Sequence, residues 1–358
     1  MKIIVNGRFL SRRPAGVDRF AFEMLSAIDG LSERADSVTQ GLEFCVAVPP
    51  GKAPSKRFAK IQTKEVGTRK GQLWEQMDLP KAVGENFLVN LCNTGPLLRR
   101  RQLTVIHDAA TVRVPESYSR SFRTWYGFLI PSLYRRSHAV CTVSEFSRGE
   151  LNAIYGERND ICVLPEGTEH MDRVSADPGV LARQGLLDRP FVLAVSSLSP
   201  HKNFSAVVEA VALLGDSGFD VAIAGGQNPK VFAAGDLPPS VKYVGYVTDE
   251  ELKALYEHAS CFVFPSIYEG YGLPPTEAMA CGCPVLAARA ASIPEVCRDA
   301  AEYFDPRSPV ELADLLSRVM ADQHLRQRMS NKGRERARDL RWEDAARILV
   351  KEVRRACA

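Results

Sequence analysis

The chain has 358 residues, which predicts about two domains, because a single hydrophobic core rarely serves more than about 250–300 residues. Apolar residues make up 45%, charged residues 25% and aromatic residues 8%. This composition is typical of globular proteins and excludes a largely disordered chain, a collagen, a coiled coil and a disulfide-dense miniprotein. The formal net charge of +3 is too small for a dedicated nucleic-acid binder, so no nucleic-acid partner is expected.

The charge is distributed unevenly along the chain. Residues 1–170 contain 24 Lys and Arg against 18 Asp and Glu, a balance of +6. The remaining residues contain 22 against 25, a balance of −3. A basic first half and a mildly acidic second half predict different partners, with an anionic surface or acceptor for the first half.

Neither a membrane span nor a metal site is predicted. No segment reaches the 18 or so continuous apolar residues that a spanning helix needs, and the apolar run at the N-terminus is too short for a signal peptide. We therefore expect a cytoplasmic protein without an integral membrane anchor. The nine cysteines include no C-x-x-C pair, which argues against a structural zinc site.

Short β-branched runs alternate with helical patterns along the whole chain. The runs predicted as buried parallel strands are residues 3–6, 44–48, 87–91, 103–106, 139–143 and 161–164 in a first series, and 191–195, 221–224, 241–245, 261–264 and 284–287 in a second. Helices are predicted at Val17–Ile28 and Ser119–Arg136. Thr248 and Glu251 form a capping-box pattern, and Ser308–Glu311 places proline at a first helical position.

The two series predict an α/β fold of two facing Rossmann-like domains with parallel sheets and an interdomain cleft. The predicted domains are residues 1–170 and 171–341, and the aperiodic stretch 165–190 is interpreted as the linker. Ligands of such folds bind outside the carboxyl ends of the strands, so the cleft is the expected site.

Residues 51–71 contain seven Lys and Arg against one Glu. This pattern favours a solvated loop, and the alternative is a patch that attracts an anionic membrane or acceptor. The second interpretation groups the segment with Arg99–Arg101 and the Arg-bearing helix at 119–136.

The densest cluster of candidate functional residues runs from Pro265 to Gly282. A strand ends there in a glycine-rich loop that opens a helix, and such a loop presents backbone N–H groups to a phosphate. Glu269 lies in the loop and Glu277 in the first turn of the helix, where carboxylates suit sugar or ribose hydroxyls. Taken alone, Glu277 is better explained by helix-dipole stabilisation, worth well under about 1 kcal/mol.

This cluster resembles the signature of glycosyltransferase family 4, two glutamates eight positions apart flanking G-[FY]-G-L-P, here Gly270–Pro274. Further blocks follow in the family's order over nearly the whole chain. They are Ala15–Phe20, Trp74–Gln76, Asn93–Pro96, His107–Asp108, Val143–Arg148, Ala194–Asn203, Val221–Gly226 and Val244–Val247. The chain's end also resembles the family's last helix, so residues 342–358 are expected to pack back on the first domain.

The resemblance implies the GT-B architecture and transfer of a sugar from a nucleotide-diphosphate donor with retention, without bound metal or cofactor. It implies that Lys202 neutralises the leaving diphosphate and that the Gly16 backbone meets the distal phosphate. It assigns the ribose hydroxyls to Glu277 and the sugar hydroxyls to Glu269. The other donor-binding residues that it implies are Ser197, Val247, Gly270, Tyr271, Gly272 and Leu273.

On the acceptor side the resemblance points to His107, together with Asn93, Thr94 and Asp108. Family members use the histidine near the transferred sugar, as a contact. An isolated His-Asp dipeptide is more often a satisfied core pair. Two positions depart from the family. Ser197 stands where many members carry Arg, which leaves more of the diphosphate charge to Lys202. Glu166 stands where Asn is usual.

The leading hypothesis is therefore a retaining hexosyltransferase that makes surface polysaccharide or glycolipid. Mannose is favoured as the sugar, and the donor is GDP- or UDP-linked. The expected acceptor is a glycan or a lipid-linked glycan, with peripheral contact at an anionic membrane. Two alternatives stay open: a nucleotide-sugar 2-epimerase of the same architecture, and a non-catalytic protein that binds sugar nucleotides.

Overall fold

The computed structural model describes residues 1–11, 16–51, 58–197, 199–226 and 238–357. The chain divides into two compact units. The first comprises Met1–Gly167 together with Arg341–Ala358, and the second comprises Thr168–Leu340. The expected linker at 165–190 is wrong, because residues from Thr168 onward belong to the second unit and form the short helices His170–Arg173 and Gly179–Arg183.

Within its described residues the first unit contains a seven-stranded parallel sheet. Its strands are β1 (Lys2–Asn6), β2 (Glu43–Val48), β3 (Gln62–Glu65), β4 (Phe87–Asn90), β5 (Gln102–Val105), β6 (Ala139–Thr142) and β7 (Cys162–Val163). The order is β3-β2-β1-β4-β5-β6-β7. The central strands β4, β5 and β6 are buried along their whole length, as parallel strands covered on both faces should be.

Helices cover this sheet and provide its crossovers. They are α1 (Gly16–Glu33), α2 (Gly71–Leu73), α3 (Leu79–Val83), α4 (Ala110–Arg113), α5 (Arg120–Arg136), α6 (Glu145–Tyr155) and, from the end of the chain, α15 (Trp342–Cys357), with a π-helical segment at Trp74–Asp78. Helix α15 lies along α1, where the Trp342 ring meets the Phe20 ring edge-on at 5.8 Å. The C-terminal helix is therefore part of the core of the first unit.

The described part of the second unit contains a six-stranded parallel sheet. Its strands are β8 (Phe191–Val195), β9 (Asp220–Ala224), β10 (Val241–Gly245), β11 (Cys261–Phe264), β12 (Val285–Ala288) and β13 (Ala301–Phe304), in the order β10-β9-β8-β11-β12-β13. Its helices are α7 (His170–Arg173), α8 (Gly179–Arg183), α9 (Phe204–Leu214), α10 (Asp249–His258), α11 (Leu273–Ala280), α12 (Ile293–Cys297), α13 (Pro309–Ala321) and α14 (Gln323–Arg338).

Each sheet has the Rossmann strand order, in which the chain starts near the middle, proceeds to one edge and then returns to build the other half. The order reverses between β1 and β4 in the first unit, and between β8 and β11 in the second. Loops that leave adjacent strands in opposite directions open a crevice at this switch point. The candidate residues follow β1, β4 and β5 in one unit and β8, β10 and β11 in the other.

The predicted strands and helix starts are confirmed, and the structure adds two strands that the sequence did not predict. These are β3 and β13, each at one edge of its sheet. An edge strand has one neighbour and needs no apolar run: β3 reads Gln-Thr-Lys-Glu and is mostly exposed. Thr248 and Glu251 form the predicted capping box at α10, and the Ser308 side chain caps α13.

Candidate functional site

The loop after β11 is folded into a tight structure before helix α11. Gly272 has φ +101°, a left-handed conformation that strains any residue with a Cβ. Pro274 and Pro275 occupy the first turn of α11 and lack backbone N–H groups. The first turn therefore offers fewer backbone N–H donors than the sequence predicts. The main candidates for binding an anion are then the backbone N–H groups of 270–273.

The predicted pair Lys202 and Glu269 is brought together by the second unit. Lys202 ends a 3₁₀ turn that follows β8, and its Nζ lies 2.7 Å from Glu269 Oε1. Both side chains are largely buried, with 17% and 13% of their surface exposed. The ammonium group thus lies at the carboxyl edge of the sheet, beside the glycine-rich loop, where it can neutralise a phosphate.

Two residues to which the sequence analysis gave no role hold this loop. Asn203 has φ +57° and donates from Nδ2 to the carbonyl oxygens of Pro265 at 3.3 Å and Pro306 at 2.8 Å. Ser292 is fully buried, and its hydroxyl lies 3.0 Å from the Glu269 carbonyl and 2.8 Å from the Tyr271 carbonyl. These two tethers come from two other segments, and no local pattern in the loop itself indicates them.

Glu277 lies in α11 and is 5% exposed. Its Oε1 is 2.8 Å from Nε2 of His170, the first residue of α7. Its Oε2 accepts a hydrogen bond of 3.3 Å from the Tyr256 hydroxyl of α10. Burial and the Glu277 charge raise the pKa of Tyr256 well above its ordinary value of 10, so the phenol stays protonated and donates. The sequence analysis identified Glu277 but neither of its partners.

The remaining predicted donor-binding residues occupy different kinds of position. Ser197 is exposed in the loop after β8, and its hydroxyl donates to Ser199 at 3.2 Å. Val247 is half-buried in the turn between β10 and α10. Gly270, Tyr271 and Leu273 are buried in the loop and at the start of α11. Gly16 belongs to the first unit, where it is exposed as the first residue of the 18-residue helix α1.

His107 follows β5 in the first unit and is 4% exposed. Its Nε2 lies 2.9 Å from the carbonyl oxygen of Leu91, which can only accept, so Nε2 carries the proton. The Phe20 ring packs edge-on against the imidazole at 4.7 Å. Burial lowers the pKa of His107 from 6.5 to about 4. The imidazole is therefore neutral at physiological pH.

The three predicted acceptor-side residues have structural partners. Asn93 Oδ1 accepts from the backbone N–H of His107 at 2.7 Å, and Asp108 Oδ1 accepts from Ala110 at the start of α4 at 2.9 Å. The Thr94 hydroxyl donates to Glu75 Oε1 at 2.8 Å. Asn93 and Asp108 are half-buried, and Thr94 is buried.

Thr94 belongs to a buried polar network at the carboxyl ends of β1 and β4. Glu75 is fully buried and accepts a 2.7 Å hydrogen bond from the Asn6 side chain. Its second oxygen lies 3.2 Å from the Arg8 guanidinium, which also donates to Thr94 at 3.2 Å. The Trp-Glu-Gln block at Trp74–Gln76 was singled out in the sequence, but the pairing of Glu75 with Arg8 was not.

Glu166, the position that departs from the resembled family, is 6% exposed in the first unit. Its Oε1 lies 4.0 Å from Nδ1 of His107, which follows β5. A carboxylate therefore lies next to the candidate histidine.

Over the part of the chain that the structure describes, no three His, Cys, Asp or Glu side chains are grouped as metal ligands would be. Among the same residues, no helix has both the length and the apolar content that crossing a bilayer requires.

Comparison with known proteins defines the class. The sucrose-phosphate synthase of Thermosynechococcus elongatus superposes with a TM-score of 0.76 at 18% identity, over 99% of this chain and 98% of that one. The Anabaena protein Alr3699/HepE, solved in complex with UDP-glucose, gives a TM-score of 0.71 at 17% identity, over 98% of both chains. With the two parallel sheets described above, these likenesses establish the GT-B fold of glycosyltransferases, built from two Rossmann-like domains.

Residues 182–336 match the family model described as "Glycosyl transferases group 1". The chain is 27% identical over 288 residues to the O-antigen chain mannosyltransferase B of Escherichia coli, covering 76% of this chain and 74% of that protein. It is 23% identical over 275 residues to the serotype-specific mannosyltransferase WbdA of Escherichia coli, of whose length the chain spans only 33%. These comparisons support a glycosyltransferase.

Proposed function

We propose that the protein is a retaining glycosyltransferase of family 4 that transfers a hexose, mannose in the first instance, from a GDP- or UDP-linked donor. The observation that carries the proposal is the Lys202–Glu269 pair beside the glycine-rich loop at the switch point of the second sheet. The proposal is also supported by relatives named as mannosyltransferases and by a structural neighbour solved with UDP-glucose.

The side chains of the second unit suit the donor. Lys202 would meet the diphosphate, whose negative charge grows as the bond to the sugar breaks, so its contribution is largest in the transition state. The backbone N–H groups of 270–273 would add hydrogen bonds to the same oxygens. Glu269 would then exchange its bond with Lys202 for the hydroxyls of the sugar, and Glu277 would accept the ribose hydroxyls. With this charge supplied by protein groups, we propose that transfer needs no divalent metal.

His107 is proposed as a neutral contact to the transferred sugar and not as a general base. Its proton on Nε2 is committed to the Leu91 carbonyl, and its lowered pKa makes it a weak base at neutral pH. Asn93, which holds the backbone of His107, would act through that residue.

The test is incubation of the purified chain with GDP-mannose or UDP-glucose and a panel of glycan and lipid-linked acceptors. A new α-glycoside and one equivalent of nucleoside diphosphate, with the anomeric configuration read by NMR, are expected. A β-linked product from an α-linked donor would contradict retention. An epimerised sugar nucleotide without release of nucleoside diphosphate would identify an epimerase, and binding without turnover would identify a non-catalytic protein.

We also propose that the first unit contacts an anionic membrane through helix α5. Arg120, Arg123, Arg135 and Arg136 are exposed on this helix, and no Asp or Glu occurs between residues 117 and 144. Phe128 is 61% exposed, and Phe122 stacks on Tyr126 at 4.0 Å. Exposed aromatic rings beside arginines match the interface of an anionic bilayer, where each basic residue near the surface is worth about 1 kcal/mol.

The basic segment 51–71 supports this proposal less strongly. Residues 52–57 lie outside the described residues, and 62–65 form strand β3 instead of a continuous loop. Arg69 is paired with Asp78 at 2.5 Å, and Arg99 donates to the backbone carbonyls of Gly84 and Asn86. In sheet order, β3 lies four strand spacings from β5, about 19 Å away, so this segment and α5 do not form one compact patch.

Flotation with vesicles of mixed anionic and zwitterionic lipid tests the membrane proposal. We expect salt-sensitive flotation that Arg120→Gln with Arg123→Gln and Phe128→Ser abolishes. The matched control replaces the exposed Lys60, Lys64 and Lys70 by Gln and should change flotation less. If the wild-type chain does not float at low salt, the membrane contact is refuted. If only the lysine control loses flotation, the contact belongs to residues 51–71 and not to α5.

A further inference from the structure

The hydrogen bonds around Glu277 identify His170 as a residue whose role goes beyond the family resemblance. His170 lies 107 positions away in the sequence and is 2% exposed. It begins the four-residue helix α7, within the stretch that the sequence analysis took for a linker. Its Nε2 lies 2.8 Å from Glu277 Oε1, while the Tyr256 hydroxyl holds Oε2 at 3.3 Å.

The direction of these bonds follows from the chemistry of the groups. An ionised carboxylate only accepts hydrogen bonds, so the proton in the bond to Glu277 belongs to Nε2 of His170. Tyr256, fully buried, donates to the other oxygen. Two donors from two different helices, one on each oxygen, fix the rotation of the carboxylate about its last bond. Of these two bonds, the one from His170 is the shorter, at 2.8 Å against 3.3 Å.

We propose that His170 is a positioning residue for Glu277 and thereby sets the affinity of the site for the ribose hydroxyls of the donor. The proposal rests on the proposed function, in which Glu277 accepts these hydroxyls. A carboxylate accepts about four hydrogen bonds, so the bonds from His170 and Tyr256 are compatible with bonds from a ribose diol. Two adjacent hydroxyls require a defined carboxylate plane, because a hydrogen bond weakens steeply once its angle falls towards 120°.

The test compares ribonucleotides with analogues that lack the hydroxyls. Dissociation constants are measured calorimetrically for GDP and UDP, each against its 2′,3′-dideoxy counterpart. Hydrogen bonds to a charged group are worth about 1.5–3 kcal/mol, so we expect the wild-type chain to bind the ribonucleotide roughly ten- to a hundredfold more tightly. His170→Leu should reduce this ratio to about threefold or less and leave affinity for the dideoxy compound within twofold of wild type.

Two further variants separate positioning from folding. His170→Gln keeps a donor at nearly the position of Nε2 and should restore most of the ratio. His258→Leu removes a histidine of the same unit whose ring bonds locally, to the Ala254 carbonyl, and should leave the ratio unchanged. If His170→Leu does not fold, His170→Asn, whose amide is too short to reach Oε1, replaces it in the comparison.

Each outcome either supports or overturns the positioning role of His170. A full ratio in His170→Leu, or equal loss of affinity for both kinds of nucleotide, would overturn the positioning role. A wild-type chain that binds both kinds equally would show that Glu277 does not contact the ribose, which is a failure of the proposed function and is read from the wild type alone. Loss of the ratio in His170→Leu with its recovery in His170→Gln would establish the role.

Discussion

Replacement of His107 by glutamine should remove a pH-dependent part of the stability of the first unit. The buried imidazole has a pKa of about 4 in the folded chain, against 6.5 when exposed. Below pH 6.5 the unfolded chain therefore binds a proton that the folded chain excludes until the pH approaches 4. The free energy of unfolding is highest above pH 6.5 and falls as the pH decreases through this window.

The magnitude follows from the two pKa values. Between pH 7 and pH 5 the expected loss from this one group is about 2 kcal/mol, and the full shift of roughly 2.5 pKa units corresponds to about 3 kcal/mol. In His107→Gln the amide can still donate to the Leu91 carbonyl but does not titrate. The fall in unfolding free energy between pH 7 and pH 5 should be smaller in this variant than in the wild type by about 2 kcal/mol.

Urea denaturation followed by tryptophan fluorescence measures this difference. All three tryptophans, Trp74, Trp125 and Trp342, belong to the first unit, so their signal reports the unfolding of the unit that contains His107. His138→Gln, which removes an exposed histidine of the same unit, is the matched control. Carboxylates remote from position 107 are common to all three proteins, so their contribution cancels in the comparison. An equal pH dependence in His107→Gln and wild type would refute the assignment of a neutral, desolvated imidazole.

Three further outcomes are expected. Lys202→Ala should weaken nucleoside diphosphate binding and raise the activation free energy of transfer by about 2–4 kcal/mol, because a positive charge is lost where the negative charge of the leaving group develops. Lys202→Arg, which keeps a positive charge, is the control. Near-normal turnover of Lys202→Ala would show that another group stabilises the leaving diphosphate. Turnover should survive excess EDTA, and activity that chelation abolishes and manganese restores would contradict a metal-free mechanism. Trp342→Ala should destabilise the first unit by about 3–5 kcal/mol, because this 2% exposed ring packs on Phe20. Urea denaturation measures the loss, and Leu98→Ala, at an 86% exposed position, is the control. Equal stability of the two variants would show that α15 does not stabilise the core of the unit.

The amino-acid sequence alone indicated the central architecture. Parallel strands covered on both faces must be continuously apolar, so β1, β4, β5, β8 and β11 are visible as short runs of β-branched and aromatic residues. The starts of α10, α11 and α13 are equally local. A capping box begins α10, a glycine followed by two prolines begins α11, and a serine cap followed by proline begins α13. Lys202 and Glu269 could be placed at one sheet edge because both follow strands that end there.

Tertiary structure decided the rest. The edge strands β3 and β13 have one neighbour each and lack a run of β-branched residues: β3 reads Gln-Thr-Lys-Glu and β13 reads Ala-Glu-Tyr-Phe. Pairing with β2 and β12 therefore defines them. The bonds from His170 to Glu277 and from Ser292 to the loop at Glu269 join residues 107 and 23 positions apart, a separation at which no periodicity survives. The protonation state of His107 depends on its burial beside the Phe20 ring and on its bond to the Leu91 carbonyl. Desolvation arises from the folded surroundings of a residue, so the His-Asp dipeptide by itself does not reveal it.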